Sequence, residues 1–165
     1  MSDPAPLVDG LEEAQDAFDV AYHRGSPSFE EGIGNEKDWI TQITKGCRLL
    51  DAADELKDTH YTAAIELSFG VIERSLQTFA LAEGGDEMED FDDHTYCYER
   101  ASTHGLLSRD LCDELSSFYS LNRVESYYGG ERPTDHQAEA MFDLADEIHR
   151  HAVNQIRSGR ACICE

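Results

Sequence analysis

An all-α fold is predicted for this chain: an antiparallel up-down bundle of four main helices behind an N-terminal helical extension. Three observations predict it. Apolar residues recur at three- and four-residue steps through four long stretches. No stretch sustains the every-second-residue alternation of a half-buried strand, and no internal repeat is present. The breaks between stretches carry caps, turn residues and glycine pairs, which suits helices joined by short to moderate loops.

Residues 1–9 contain Pro and Asp and are expected to be disordered. Gly10 to Tyr22 can form a short helix with Leu11, Ala14, Phe18 and Ala21 on one face. Arg24 to Asn35, with three glycines, a proline and serines, reads as a loop. The organisation expected is therefore an extension and loop over 1–36, a bundle over 37–157 and a tail over 158–165. The first main helix carries Ile40, Ile43, Cys47, Leu50, Ala53 and Leu56, with Trp39 anchoring it to the extension or a neighbouring subunit. The second opens at Thr59-His60-Tyr61. Its stripe Ile65, Phe69, Ile72, Leu76 and Phe79 is joined by another, Ala64, Leu67, Val71 and Leu81. A helix apolar on two sides is a central one, and Gly84-Gly85 stops it.

Residues 86–93 form a carboxylate run without the spacing or central glycine of a calcium loop, so a solvated acidic loop is expected. Tyr96 to Thr103 can make a short helix that places Arg100 and His104 on one face, with His104 a cap or surface residue. Ser108 is a plausible N-cap for a third long helix, with Leu111, Leu115 and Phe118 as its inner stripe. That helix ends at Gly129-Gly130. Thr134-Asp-His-Gln137 is a capping box for the last helix, whose inward face is Ala138, Met141, Phe142, Ala145, Ile148, Ala152 and Ile156. His149 and His151 lie two apart there and cannot both face the core.

The 165 residues are enough for one domain with its own core, and 40% of them are hydrophobic. No apolar run approaches the roughly 18–20 residues of a membrane span, and the N-terminus has neither a basic leader nor a hydrophobic core. A cytoplasmic protein without a membrane role is expected. Its 35 acidic and 13 basic residues give a net charge of −22, and lysine occurs only at Lys37, Lys45 and Lys57. Depleted lysine beside abundant aspartate points to a halophilic surface rather than to a basic partner. In dilute buffer this charge would repel nucleic acid. In about 1 M salt, where screening acts over about 3 Å, it would not.

Five cysteines, Cys47, Cys97, Cys112, Cys162 and Cys164, show no framework spacing and are expected to be free thiols. Cys162-Ile-Cys164 could grip a soft metal with His149 or His151. Zinc sites usually take four ligands, however, and no second cysteine pair exists. No metal and no cofactor are expected.

The order of parts resembles the HEPN family of small helical bundles over roughly residues 38–157. Ala52-Ala53-Asp54-Glu55-Leu56 followed by His60-Tyr61-Thr62-Ala63-Ala64-Ile65-Glu66 is similar to that family's first helical hairpin. Tyr119 to Tyr128, a loop, and Ala138 to Ile148 are similar to its last. HEPN ribonucleases carry Arg, four to six residues, then His, and two copies meet to cut RNA without metal. This chain has Asn122, Arg123 and Val124, then Tyr127 and Tyr128 where the His belongs, and its nearest downstream His is His136. A 2′-hydroxyl attacking phosphate wants a base titrating near pH 7, which His supplies and Tyr, near 10, does not. Arg123 can still clamp phosphate in a bidentate way.

The resemblance thus implies a binding module, non-catalytic or weakly active, rather than a nuclease. It would act as a homodimer on nucleotide or RNA in high salt, or with a nucleotidyltransferase subunit, in toxin–antitoxin or substrate-binding roles. Tyr119, Asn122, Arg123, Tyr127 and Tyr128 are the expected contacts, with no catalytic residue among them. Tyr119, Arg123 and Tyr127 at i, i+4 and i+8 would serve a dimer interface equally well. The alternatives are a metal-independent ribonuclease whose base lies elsewhere, such as His104, and a helical scaffold without a nucleic-acid role.

Overall fold

The computed structural model describes residues 5–19, 28, 30, 33, 37–128, 132–157, 162 and 164, with side chains 123–128 outside the described set. All regular structure among the described residues is helical. The chain divides into two compact units, Met1–Glu31 and Gly32–Glu165.

In the first unit, α1 spans Ala5–Phe18 and none of its residues is buried. It begins five residues earlier than the apolar pattern suggests. Pro6 suits a first helical turn, where an amide proton has no intrahelical acceptor, so the Pro-containing start does not delay the helix.

In the second unit, α2 (Asp38–Leu56), α3 (Tyr61–Phe79) and α6 (Asp135–Gln155) build the floor of the core. α3 packs on α2, on α6 and on the short α4 (Tyr96–Thr103), the central place that its two apolar stripes require. Small residues let these helices approach: Ala53, Ala64, Ala138, Ala145 and Ala152 are all fully buried. Leu50, Val71, Ile72, Leu76, Met141 and Ile148 fill the space between them. Trp39 packs partly buried against this same core. α3 runs into a π-helical turn, Ala80–Gly84, and Gly85 ends it at φ +74°, a left-handed conformation that glycine adopts without penalty. α6 starts as its sequence prescribes: Gln137 N donates to Thr134 Oγ1, and Thr134 N donates to Gln137 Oε1.

Two local expectations need correcting. The inward stripe of α5 (Arg109–Tyr128) is Cys112, Leu115 and Tyr119, whereas Leu111 and Phe118 are 43% and 39% exposed. α5 carries apolar residues on more than one face, and its packing on α4 selects the face that buries Cys112 and Leu115 in the same core as Tyr98 and Ala101. The acidic run is not all solvated either. Asp86 is nearly buried, in a bidentate pair with Arg100 (Nε–Oδ2 2.9 Å, Nη2–Oδ1 2.6 Å). Residues 88–90 form a 3₁₀ turn in which Glu87 N donates to Asp90 Oδ2.

A candidate metal centre

Cys47 lies in the middle of α2 and His149 in the last third of α6, and both are buried where these helices face α3. Their placement follows from the apolar spacing of each helix. Cys47 stands in register with Ile43 and Leu50, and His149 is next to Ile148 and one turn before Ala152. Cys162 and Cys164, beyond α6, meet them. Cys162 Sγ is 3.2 Å from Cys47 Sγ and 3.2 Å from His149 Nε2. Cys164 Sγ is 3.2 Å from His149 Nε2, and Cys47 Sγ is 3.5 Å from it. The Cys164 amide donates to Cys162 Sγ at 3.4 Å. All four ligand atoms lie within 4.8 Å of one another.

The imidazole is oriented from behind. Ser75 on α3 spends its single proton on the Val71 carbonyl, 2.7 Å away. Its oxygen can therefore only accept from His149 Nδ1, at 2.9 Å. With Nδ1 committed as a donor, Nε2 is the nitrogen turned to the three sulfurs. A metal-ligating histidine is commonly held in this way, by a hydrogen bond from its other ring nitrogen.

The cluster is polarised. Hydrogen bonds from Cys164 and Cys47, and then His149, hold the Cys162 thiol far below the ordinary thiol range. Cys164, beside Cys162 and Cys47, is pushed up. Burial opposes charge on His149, but its contacts with Cys162 and Cys47 outweigh that and raise it from 6.5 to about 9. The same contacts thus favour negative charge on Cys162 and positive charge on His149. A divalent ion would displace the Nε2 proton and the remaining thiol protons.

Around one tetrahedral ion with metal–sulfur bonds of ~2.3 Å and metal–nitrogen bonds of ~2.0 Å, sulfur–sulfur edges are about 3.8 Å and sulfur–nitrogen edges about 3.5 Å. The Cys47–Cys162 separation of 3.2 Å and the three sulfur–nitrogen separations of 3.2–3.5 Å lie within about 0.6 Å of those values. The donors are too close together to enclose a polynuclear iron–sulfur core. Three soft thiolates and one imidazole suit Zn²⁺ or another soft mononuclear ion. A cleft of about 560 Å³ opens beside the cluster, lined on either side by Asp51, Asp54, Asp146 and Arg150. Asp146 pairs there with Arg150 at 2.9 Å, and Asp54 pairs with Lys57.

A second polar group joins the end of α3 to α4. His104 Nε2 is 3.0 Å from Asp86 Oδ2 and 2.9 Å from Arg100 Nη2. Gly84 leaves the space that the His104 ring occupies, since a Cβ there would overlap the imidazole. His104 is the C-cap of α4, its amide donating to the Arg100 carbonyl at 2.9 Å, while its side chain joins the Asp86–Arg100 pair instead of lying open at the surface. His151 contacts the Leu106 carbonyl at 3.0 Å, so of His149 and His151 only His149 belongs to the cluster.

Of the contacts expected from the sequence, Tyr119 packs edge-on to Phe69 (5.5 Å between ring centroids) and tilted to Tyr98 (6.2 Å). Asn122 Nδ2 donates to the Phe118 carbonyl at 3.4 Å. Arg123, Tyr127 and Tyr128 continue α5, and their side chains lie outside the described residues, as do Gly129 and Gly130.

Cys47 went unrecognised in the sequence as a partner of the tail cysteines. A buried cysteine in an apolar stripe looks like any small core residue, and 115 positions separate it from Cys162. The Cys162-Ile-Cys164 spacing was the available signal, and the missing second cysteine pair is replaced here by one cysteine and one histidine from two helices.

Fold and site together define an all-helical protein with a Cys₃His donor cluster between its helices and its C-terminal residues. The chain belongs to the family described as domain of unknown function DUF8154, whose model matches residues 2–164. No curated protein and no solved structure matches it. No helix among the described residues is long and apolar enough to cross a membrane.

Proposed function

We propose that this chain is a soft-metal-binding helical protein in which one zinc-class ion, held by Cys47, His149, Cys162 and Cys164, fastens the C-terminal residues to α2 and α6. The observation that carries this reading is the convergence of four donors from three separated segments within 4.8 Å, with Ser75 orienting the imidazole. Protein supplies all four positions of a tetrahedral shell, the pattern of a structural rather than a hydrolytic zinc site. Purified under reducing conditions, the protein is expected to hold about one equivalent of zinc by elemental analysis. Co²⁺ in its place should show thiolate charge-transfer and tetrahedral ligand-field absorption, and Cys164→Ser or His149→Ala should lose both. Protein that is folded by circular dichroism yet takes up neither ion would overturn the reading.

A second reading draws on the helical order and on α5 running through Tyr128, which sets Arg123 and Tyr127 one turn apart. In it, α2, α3, α5 and α6 are the main helices of an HEPN-like up-down bundle that dimerises and binds nucleotide, RNA phosphate or a nucleotidyltransferase subunit. RNA titrations in molar KCl with EDTA address it directly. Loss of about tenfold in affinity for Arg123→Ala supports a phosphate clamp, and unchanged affinity removes it.

A further inference from the structure

The three sulfurs of the cluster are not equivalent. Cys47 is fully buried, whereas Cys162 and Cys164 are partly exposed beside the cleft. Cys47 and Cys162 lie 3.2 Å apart, sulfur to sulfur, and need to close by about 1.2 Å to reach the ~2.05 Å of a disulfide. The pair joins a shielded thiol to an accessible one, across 115 residues of chain. Cys97 and Cys112 are buried on α4 and α5, away from the cleft.

Resting on the metal-centre reading, we propose that Cys47 and Cys162 form a redox pair: their oxidation to a disulfide ejects the ion, so that metal occupancy reports exposure to hydroperoxides. Cys162, reached through the cleft, attacks one oxygen of a hydroperoxide. The O–O bond breaks, Cys162 becomes a sulfenic acid and the second oxygen leaves as hydroxide or alkoxide. The Cys47 thiolate then attacks the Cys162 sulfur, the S–O bond breaks and a second hydroxide leaves. Two electrons from the two sulfurs have reduced one peroxide, and two protons from water complete the products. The ion, having lost two of its four ligands, is released, leaving Cys164 and His149 as a two-donor remnant. Thiol–disulfide exchange with a small dithiol reverses the step and restores the site.

The experiment treats zinc-loaded protein with one equivalent of hydrogen peroxide. A chromogenic chelator follows the zinc, and non-reducing peptide mapping follows the sulfurs. One zinc is expected to be released per disulfide, the linked peptides are expected to contain Cys47 and Cys162, and Cys97 and Cys112 should remain open to alkylation after unfolding. Dithiothreitol should restore zinc binding. Cys164→Ser keeps both partners of the pair and should still form the disulfide, even with its metal affinity reduced. A Cys162–Cys164 bridge, sulfinic acid without a bridge, or zinc release without thiol loss would each overturn the pairing. Metal analysis before the peroxide step separates the two readings: reduced, folded protein that neither carries nor takes up zinc overturns the metal centre itself, whereas bound metal followed by one of those oxidation products overturns the pairing alone.

Discussion

Ser75 decides how the cluster can act, although it touches none of the sulfurs. Its proton goes to Val71, so it can only accept from His149 Nδ1. Ser75→Ala therefore frees the imidazole to turn or change tautomer while leaving all four donors in place. Losing the hydrogen bond that orients a ligating histidine typically weakens metal binding about 10–100-fold, and competition against a calibrated chelator should read a change of that size. Asp86 offers a different residue-scale test. The Arg100 guanidinium, and then His104, hold its carboxyl below the ordinary 3.8. A depressed folded-state value means that the ionised pair stabilises the fold above pH 3.8 and that this contribution is lost as the pH falls through the lower folded value. Asp86→Ala leaves Arg100 and His104 without their shared partner and should cost about 2 kcal/mol at pH 7. In denaturant titrations, the gap between wild type and variant should narrow below pH 3.8. A gap that stays constant into that range would show that the pair does not stabilise the fold.

At the scale of elements, periodicity placed the helices well where each had one apolar face. α6 presents such a face, and its capping box sets its first turn. Thr134→Ala should accordingly destabilise the fold by about 1 kcal/mol, measured as a shift in the unfolding midpoint at unchanged slope. The doubled stripe of α3 likewise announced a helix with neighbours on several sides. α5 resisted the same treatment, because Leu111, Phe118 and Leu121 compete with Cys112, Leu115 and Tyr119 for the inward face. Periodicity gives the spacing of a stripe but not which of two stripes the neighbours will accept. The polar pair at 86 and 104 was illegible for a related reason. Asp86 reads as one more member of an acidic run until the π turn and Gly84 bring His104 against it.

For the second compact unit as a whole, the donor cluster ties the end of the sequence to helices formed much earlier, a long-range link that local patterns cannot reveal. On the proposed metal-centre reading, the same link makes stability depend on metal. An ion that binds the folded state alone stabilises it by RT ln(1 + [L]/Kd), about 2.7 kcal/mol at one hundred times Kd. For a chain of this size each kcal/mol moves the thermal midpoint by roughly 2–4 °C. Zinc at that excess should therefore raise Tm by roughly 5–11 °C in reduced protein, and a chelator should reverse the rise. The net charge of −22 gives the rise a salt dependence, because carboxylates around the cleft attract the cation less strongly as ionic strength increases. His149→Ala and Cys164→Ser should flatten the response to zinc, while Arg123→Ala, remote in sequence from all four donors, should keep it. If Tm rises equally in wild type and His149→Ala, the ion is acting on the acidic surface and the cluster does not hold the tail.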